Sequence, residues 1–240
     1  MSAVANLDSL LTLQEIDTTL DQLRHRRANL PERAELEAAR RAAADGATAV
    51  DAAFARLHEV QSAEKAREDE AATTEAKVAE VERTLYGGTV KAAKELEAYQ
   101  ADLQMLQDRQ ARLEDEALEL MEQAEPLDAE LGRLREVSEA ATATVDAVQD
   151  RLVVAEAEID AEIERVEGGR SEVAESLPAE VVDQYDGLRR ALGGTGAARL
   201  NGARCEGCHL EIPSAQLEEV RRAPEDAVVS CPECGRILVR

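Results

Sequence analysis

Four cysteines near the C-terminal end are the residues with the clearest chemistry in this 240-residue chain. They form two Cys-x-x-Cys pairs, Cys205 with Cys208 and Cys231 with Cys234, and 22 residues separate the pairs. A tight turn can present two thiolates from each pair, and two such turns brought together supply the four sulfur ligands of a tetrahedral Zn²⁺ site. The spacing therefore predicts one structural zinc ion bound by all four cysteines.

Zinc also explains how the segment around the cysteines folds. Residues 197–240 contain few large apolar side chains and no Phe, Tyr or Trp. A segment of ~40 residues rarely folds on core burial alone, so a bound metal ion would supply the missing stability. We therefore predict a small β-rich zinc ribbon over 197–240, with short strands at Arg199-Leu200, Ala227-Val228-Val229 and Ile237-Leu238-Val239.

Three other uses of the thiols fit the sequence less well. A dithiol redox centre expects one Cys-x-x-Cys at the start of a helix within a βαβ pattern, which is absent here. Disulfide bonds between these cysteines fit the sequence even less well than a redox centre. A catalytic zinc ion keeps one coordination position open and usually recruits histidine or a carboxylate, whereas four cysteines close the shell. His209, next to Cys208, is therefore expected beside the site or at the surface and not as a ligand.

The longest pattern in the chain alternates steps of three and four residues from Leu96 to Val166, and 18 of its 21 positions are apolar. Such a narrow stripe is typical of one long helix packed on another, and its 3.5-residue period implies left-handed supercoiling. A weaker stripe of the same kind runs from Leu36 to Leu85. The pair Gly87-Gly88 lies between them and suits an abrupt reversal. We therefore predict a long antiparallel coiled-coil hairpin with its tip near 86–89.

Proline and glycine mark the expected breaks in these helices. Pro31 separates the Leu36 stripe from an earlier leucine-rich segment, and folding at the tip would bring Pro126 opposite Gly46. Kinks are therefore expected near residue 31 and near 46/126. Gly168-Gly169 is expected to end the second long helix. The predicted organisation is mainly α, with the hairpin over 1–170, a short helix and glycine-rich linker over 171–196, and the ribbon over 197–240.

Charge and composition exclude several classes of function. The chain carries 51 acidic and 28 basic side chains, a formal net charge of -23, and the deficit lies within residues 1–184. A body this acidic repels phosphate backbones, which disfavours nucleic-acid binding along the helices. No apolar run reaches the ~20 residues that cross a bilayer, and the N-terminus does not resemble a cleaved signal. The sequence predicts a cytoplasmic protein that does not contact membranes.

Catalytic motifs are missing from the sequence. There is no phosphate-binding Gly-x-x-x-x-Gly-Lys-Ser/Thr loop, no Gly-x-Ser-x-Gly elbow and no His-Glu-x-x-His pair. The many carboxylates fall on exposed positions of long helices, where they are expected to be solvated. His25 and His58 also lie among charged neighbours and are expected to be solvated. We therefore predict a protein that is not an enzyme and has no small-molecule substrate.

Several segments along the whole chain share a pattern with other bacterial proteins. They are Lys94-Glu95-Leu96-Glu97-Ala98, Leu113-Glu114-Asp115-Glu116, Glu119-Leu120-Met121-Glu122, Leu177-Pro178 with Tyr185 and Leu188-Arg189, and Cys231-Pro232-Glu233-Cys234-Gly235-Arg236-Ile237-Leu238. Through these segments the chain resembles a bacterial family of zinc-ribbon proteins with an N-terminal coiled-coil hairpin. The resemblance implies a non-enzymatic adaptor with the four cysteines as zinc ligands. Some relatives in that family look like chaperones or regulators for the nitrogen-type alternative sigma factor and for flagellar or secretion components, and one branch is reported to bind messenger RNA.

Two functions therefore stay open at this point. The first is a scaffold, regulatory or chaperone-like, that binds an unidentified protein partner. The second is a regulator that binds RNA or DNA through the ribbon, although the ribbon lacks the aromatic platform on which bases stack. The oligomeric state is also open, because the same stripes can pair within one chain or between two. The candidate contact residues are Arg199, Arg204, Arg221, Arg222, Arg236 and Arg240 in the ribbon and Lys91 and Lys94 at the tip.

Overall fold

A computed structural model describes residues 7–88, 90–224 and 227–240. Thr89, part of the predicted tip, lies outside the described residues. The described chain forms two compact units, one containing residues 35–149 and the other containing the residues up to 34 together with 150–240.

None of the described helices combines the length and apolar composition of a membrane span. The elements are α1 (Asp8–Ala28), α2 (Pro31–Tyr86), α3 (Ala93–Glu175), α4 (Ala179–Ala191), β1 (Ala197–Asn201), β2 (Arg204–Cys205), α5 (Ser214–Arg222), β3 (Val229–Ser230) and β4 (Ile237–Val239).

The two predicted stripes are the buried faces of α2 and α3. Every stripe position from Leu36 to Leu85 and from Leu96 to Ile159 is buried or half-buried. Within the unit of residues 35–149 the two faces meet in apolar clusters that draw on both helices. The mainly α class and the helical hairpin are therefore confirmed. The clusters contain Val78, Leu85 and Leu103 near the tip, and Ala53, Leu57, Ala124 and Leu131 further along.

The pairing of the two arms differs from the one we expected. Gly46 lies against Ser138 and not against Pro126, since a Cβ added at Gly46 would be 3.4 Å from the Cα of Ser138. The length of the turn accounts for part of this offset. The structure ends α2 at Tyr86 and begins α3 at Ala93, so the reversal uses more residues than a two-glycine bend. The kinks near 31 and 46/126 and the domain boundaries stay predictions.

The α3 helix continues through Gly168-Gly169 and ends at Glu175, so the expected helix end at the glycine pair is wrong. Each glycine disfavours a helix by only about 1 kcal/mol. The residues that follow make contacts which outweigh that cost. Arg170 donates hydrogen bonds to two carboxylates on other helices, and Val173 and Ala174 pack against an apolar core.

Three arginines join the start of the chain to the far half of α3. Arg24 pairs with Glu167 at 2.7 Å, Arg27 pairs with Asp160 at 2.6 Å, and Arg33 pairs with Glu156. The stripe of α3 is interrupted in this region. At position 162 the glutamate is exposed and position 163 is half-buried in its place, whereas Val166 is half-buried as the stripe predicts.

Helix α1 does not stand alone, because its leucines fill the core of the unit that contains the ribbon. Leu10 and Leu13 are fully buried against Tyr185 of α4. The same cluster includes Ile237 and Val239 from β4. The four-stranded sheet has the order β2-β1-β4-β3, with β1 and β4 parallel and the other pairs antiparallel. One face of this sheet therefore closes the helical core.

The other face of the sheet covers the cysteines. Successive residues of a strand point to opposite faces, so Leu238 lies away from Ile237 and Val239. Leu238 is fully buried in a second cluster with Cys205 and Cys231. Helix α5, which the sequence analysis did not predict, lies within the spacer between the cysteine pairs and closes this cluster with Leu217 and Val220.

Gly196, just before β1, allows α4 to approach the sheet closely. A Cβ added at Gly196 would lie 2.6 Å from the carbonyl oxygen of Tyr185 and 3.1 Å from the backbone nitrogen of Arg189. We expect Gly196→Ala to lower the free energy of unfolding by about 1–3 kcal/mol, because the backbone must move to make room. Gly187, inside α4, faces open space. Gly187→Ala should therefore raise stability by up to about 1 kcal/mol. Equal effects in paired denaturant melts would contradict this packing.

Candidate metal centre

The four cysteine sulfurs form one cluster. Their Sγ atoms all lie within 4.8 Å of one another. Two distances between the pairs are 4.0 Å, from Cys205 Sγ to Cys234 Sγ, and 3.9 Å, from Cys208 Sγ to Cys231 Sγ. Four thiolates around one Zn²⁺ at ~2.3 Å place their sulfurs about 3.8 Å apart. The donor set and its spacing therefore fit one tetrahedral zinc ion with no position left over.

Each Cys-x-x-Cys pair is held in a turn that ends with a left-handed residue. The backbone N–H of His209 donates to the carbonyl oxygen of Cys205 at 2.8 Å, and that of Gly235 donates to Cys231 at 2.8 Å. Both residues have positive φ, 64° at His209 and 78° at Gly235. The two turns are thus equivalent, and His209 occupies the position that glycine fills in the other turn. Its side chain is exposed, and the metal-ligand cluster found in the described residues contains only cysteines.

The thiols differ in how easily they lose their protons. Burial raises the pKa of Cys205, and it raises the pKa of Cys231 to about 12. Burial also acts on Cys234, but hydrogen bonds from the backbone and side chain of Arg236 lower the pKa of that thiol to about 7. Zinc binds the thiolate form, so metal uptake releases protons. Arg236 therefore favours the metal-binding state at Cys234.

Arg236 also connects the second turn to the loop after α4. Its Nε donates to Thr195 Oγ1 at 2.9 Å, and its Nη2 lies 3.4 Å from the carbonyl oxygen of Leu192. A Cβ added at Gly207 would lie 2.7 Å from Arg236 Cδ, so the arginine crosses directly over the first turn. The side chain is half-buried and holds the two turns and this loop together.

Three other arginines proposed as partner contacts donate to backbone carbonyls of the ribbon. Arg240 donates to the last carbonyls of α5 and the loop beyond it, which satisfies groups that a helix end leaves unpaired. Arg221 donates to the carbonyl oxygen of Gly202 at 3.1 Å. Arg204 donates from Nε to the carbonyl oxygen of His209 at 3.0 Å. These side chains stabilise the fold whatever else they contact.

The remaining proposed contacts lie at exposed positions. Arg199 pairs with Asp8 at 3.4 Å, and Arg222 pairs with Glu218 at 3.3 Å. Lys91, in the turn before α3, and Lys94, in the first turn of α3, are both exposed. Their role as contacts for a partner stays a prediction, as it does for the other arginines.

Sequence reasoning missed Asp17, a buried carboxylate that joins α1, α3 and α4. Asp17 is only 2% exposed. Arg170 of α3 donates to it from Nε at 2.7 Å, and the hydroxyl of Tyr185 donates to it at 2.9 Å. Arg189 of α4 lies 3.6 Å from the same carboxylate and also donates to Asp21 at 2.5 Å. The buried carboxylate of Asp17 therefore links three helices through ion pairs and a hydrogen bond.

The spacing of α1 contains the signal that would have found this residue. Leu10, Leu13, Asp17 and Leu20 follow the same three-four-three steps as the hairpin stripes, and all four are buried. Burial raises the pKa of Tyr185 well above its ordinary value, and the neighbouring Asp17 raises it further. The phenol therefore stays protonated and continues to donate its hydrogen bond.

Comparison with known proteins agrees with the fold and the metal centre. Residues 13–193 match the CT398-like coiled coil hairpin domain, and residues 204–238 match the C4-type zinc ribbon domain. The chain belongs to the CT398-like coiled-coil hairpin family and ends in a C4-type zinc ribbon. The family, the fold class and the single structural zinc ion expected from the sequence are thereby confirmed.

Relatives match along the whole chain. An uncharacterized protein of Mycobacterium tuberculosis is 36% identical over 242 residues, which covers 100% of this chain and 97% of the relative. A solved structure from Mycobacterium smegmatis has a TM-score of 0.77 and 30% identity, covering 100% of this chain and 99% of that one. CT398 from Chlamydia trachomatis has a TM-score of 0.68 over 97% of this chain and 96% of its own, and at 20% identity it shows the fold alone.

Proposed function

We propose that this protein is a non-catalytic adaptor that binds a protein partner through its hairpin and zinc ribbon. The observation that carries this proposal is the closed ligand set of the metal centre. The four clustered cysteine sulfurs would fill all four tetrahedral positions of a zinc ion and leave none for a water molecule or a substrate. A zinc ion bound in this way stabilises a fold and does not activate a reactant.

The buried polar side chains support the same proposal. Within the described residues these are Asp17 and Thr74. Asp17 is held by Arg170 and Tyr185, and Thr74 donates to the carbonyl oxygen of Glu70 at 2.8 Å. A general acid or base must reach a reacting group, and both of these side chains are already engaged in the contacts just described.

The charges favour a protein partner over a nucleic acid. Arg221, Arg236 and Arg240 donate to backbone carbonyls, which leaves fewer of their N–H groups for phosphate oxygens. The whole chain carries a net charge of -23, which repels a phosphate backbone. The thiolate ligands persist best in a reducing compartment, so we place the adaptor in the cytoplasm.

A capture experiment tests the proposal. The full-length, zinc-loaded chain is immobilised and exposed to an extract of the source organism, with and without nuclease treatment. We expect a discrete protein to stay bound after nuclease treatment, because the contact is between proteins. Binding that disappears with the nucleic acid, or an absence of any specific protein, would contradict the adaptor function.

A titration of single-stranded RNA tests the alternative function. We expect the full-length chain to bind RNA with a Kd above about 100 μM at physiological salt, which is weaker than typical non-specific binding. The variant carrying Arg221→Glu and Arg222→Glu should bind no more weakly than a control carrying Arg133→Glu and Arg135→Glu, two exposed arginines of α3. Micromolar affinity that falls steeply with salt, and that only the ribbon variant loses, would support the RNA-binding function and contradict ours.

A further inference from the structure

A groove on one side of the hairpin exposes apolar side chains that its helical core does not need. Its floor is formed by Ala71 and Ala72 of α2 and by Ala117, Leu118 and Met121 of α3, and its volume is about 440 Å³. Leu118 is 55% exposed and Met121 is 50% exposed. Both lie beside the buried stripe and not on it. Adjacent large apolar residues at such positions mark a binding surface more often than isolated ones do.

The rim of the groove is acidic. Glu68 and Glu75 border it on α2, and Glu114 borders it on α3. The negative charge extends along α3, since residues 113–132 contain eight acidic side chains and no lysine, arginine or histidine. A ligand for this groove must therefore combine apolar groups with positive charge.

The dimensions of the groove fit a short helix. Glu114, Leu118 and Met121 are spaced by four and three residues, so they share one face of α3. The seven residue steps from Glu114 to Met121 span about 10 Å, which is two helical turns. An amphipathic helix binds such a surface with apolar anchors repeated every three or four residues.

The charge of the hairpin argues against two other occupants. Residues 35–149 carry 27 acidic and 13 basic side chains. A second copy of this chain would place further carboxylates against Glu68, Glu75 and Glu114, and like charges across an interface are unfavourable. A nucleic acid would be repelled in the same way, because its phosphates would meet these carboxylates.

We propose that this groove docks a basic amphipathic helix of a partner protein, with its apolar face on Leu118 and Met121 and its lysines or arginines on the glutamates of the rim. This inference rests on the proposed adaptor function and names the surface and the partner chemistry that serve it. The apolar contacts provide affinity, and the charged rim selects cationic helices and speeds their association.

A labelled synthetic peptide provides the first test. The peptide has about four turns, with leucines on one face and lysines on its flanks, and is titrated with the full-length, zinc-loaded chain while fluorescence anisotropy is read. We expect it to bind at least about tenfold more tightly than a scrambled peptide of the same composition. A version with glutamate in place of lysine should not bind measurably. Equal affinity for the amphipathic and scrambled peptides would overturn the proposal.

Variants of the groove provide the second test. Leu118→Asn with Met121→Asn should weaken peptide binding about tenfold or more, since truncating a central anchor typically has an effect of this size. The control is Val153→Asn with Val154→Asn, which removes two exposed apolar side chains elsewhere on α3. We expect the control to bind like the unmodified chain. Unchanged affinity of the groove variant would overturn the proposal.

The rim is tested separately. Replacing Glu68, Glu75 and Glu114 with glutamine should weaken peptide binding and flatten its dependence on salt, because three of the contributing charges are removed. A salt dependence identical to that of the unmodified chain would overturn the assigned charge contacts. Dimerisation in light scattering that the Leu118→Asn, Met121→Asn variant abolishes would show that a second copy fills the groove, and would overturn the partner chemistry.

The capture experiment separates this inference from the adaptor function itself. A protein retained by the unmodified chain but not by the Leu118→Asn, Met121→Asn variant supports both. A protein retained equally by both forms overturns the groove as the docking site and leaves the adaptor function standing. A chain that binds the amphipathic peptide through the groove, yet retains no protein from the extract, supports the groove chemistry and contradicts the adaptor function.

Discussion

Replacing Cys231 with alanine is expected to abolish zinc binding and unfold the ribbon. The reason is that three sulfurs leave the metal with an open position inside a buried cluster, and structural zinc contributes about 10–16 kcal/mol in comparable small domains. The effect should reach beyond the ribbon. Strand β4 carries Ile237 and Val239 into the core formed with α1 and α4, so loss of the sheet also exposes that core.

The measurements for this variant are metal content and thermal unfolding. We expect zinc to fall from one ion per chain to none and the unfolding transition to shift to much lower temperature. His209→Asn is the matched control, because asparagine tolerates the positive φ of this position while removing the imidazole. The control should keep its full zinc content. Loss of zinc from His209→Asn together with retention in Cys231→Ala would show that the ligand set is wrong.

Replacing Asp17 with alanine is expected to lower the free energy of unfolding by about 3–5 kcal/mol, the usual result of removing one partner from a buried ion pair. The substitution removes the acceptor for Arg170 and for the Tyr185 hydroxyl at once. Asp17→Asn keeps one acceptor oxygen, so its free energy of unfolding should lie between those of the unmodified chain and Asp17→Ala. Urea denaturation followed by circular dichroism measures the change.

Asp21→Ala is the control for this prediction. Asp21 pairs with Arg189 from the same helix as Asp17, but its side chain is 49% exposed. An exposed ion pair contributes about 1 kcal/mol or less. Both variants should bind one zinc ion per chain. Any loss of stability then comes from the contacts between the helices and not from loss of the metal ion. Equal destabilisation by the two substitutions would contradict the role assigned to the buried carboxylate.

The hairpin and the metal chemistry were readable from the sequence because both depend on short-range spacing. A period of 3.5 residues specifies which face of a helix is buried, and every stripe position from Leu96 to Ile159 is at least half-buried. The Cys-x-x-Cys spacing likewise specifies a turn that presents two thiolates. Asp17 was readable by the same rule, since it continues the spacing of Leu10 and Leu13.

Other features depend on contacts between distant parts of the chain, and no local pattern reports them. The continuation of α3 through Gly168-Gly169 depends on Arg170 and the carboxylates it meets on α1 and α4. The offset between the arms depends on the length of the turn after Tyr86. The sheet that joins the cysteines to the leucines of α1 brings together residues from opposite ends of the sequence.

X-ray absorption at the zinc edge of the purified full-length protein is the most direct test of the central claim, that a closed four-sulfur site holds a structural and non-catalytic metal ion. The claim predicts four sulfur neighbours at about 2.3 Å and no nitrogen or oxygen neighbour. A shell of three sulfurs with one nitrogen or oxygen would contradict it, because such a site has a position that a substrate or water molecule can occupy.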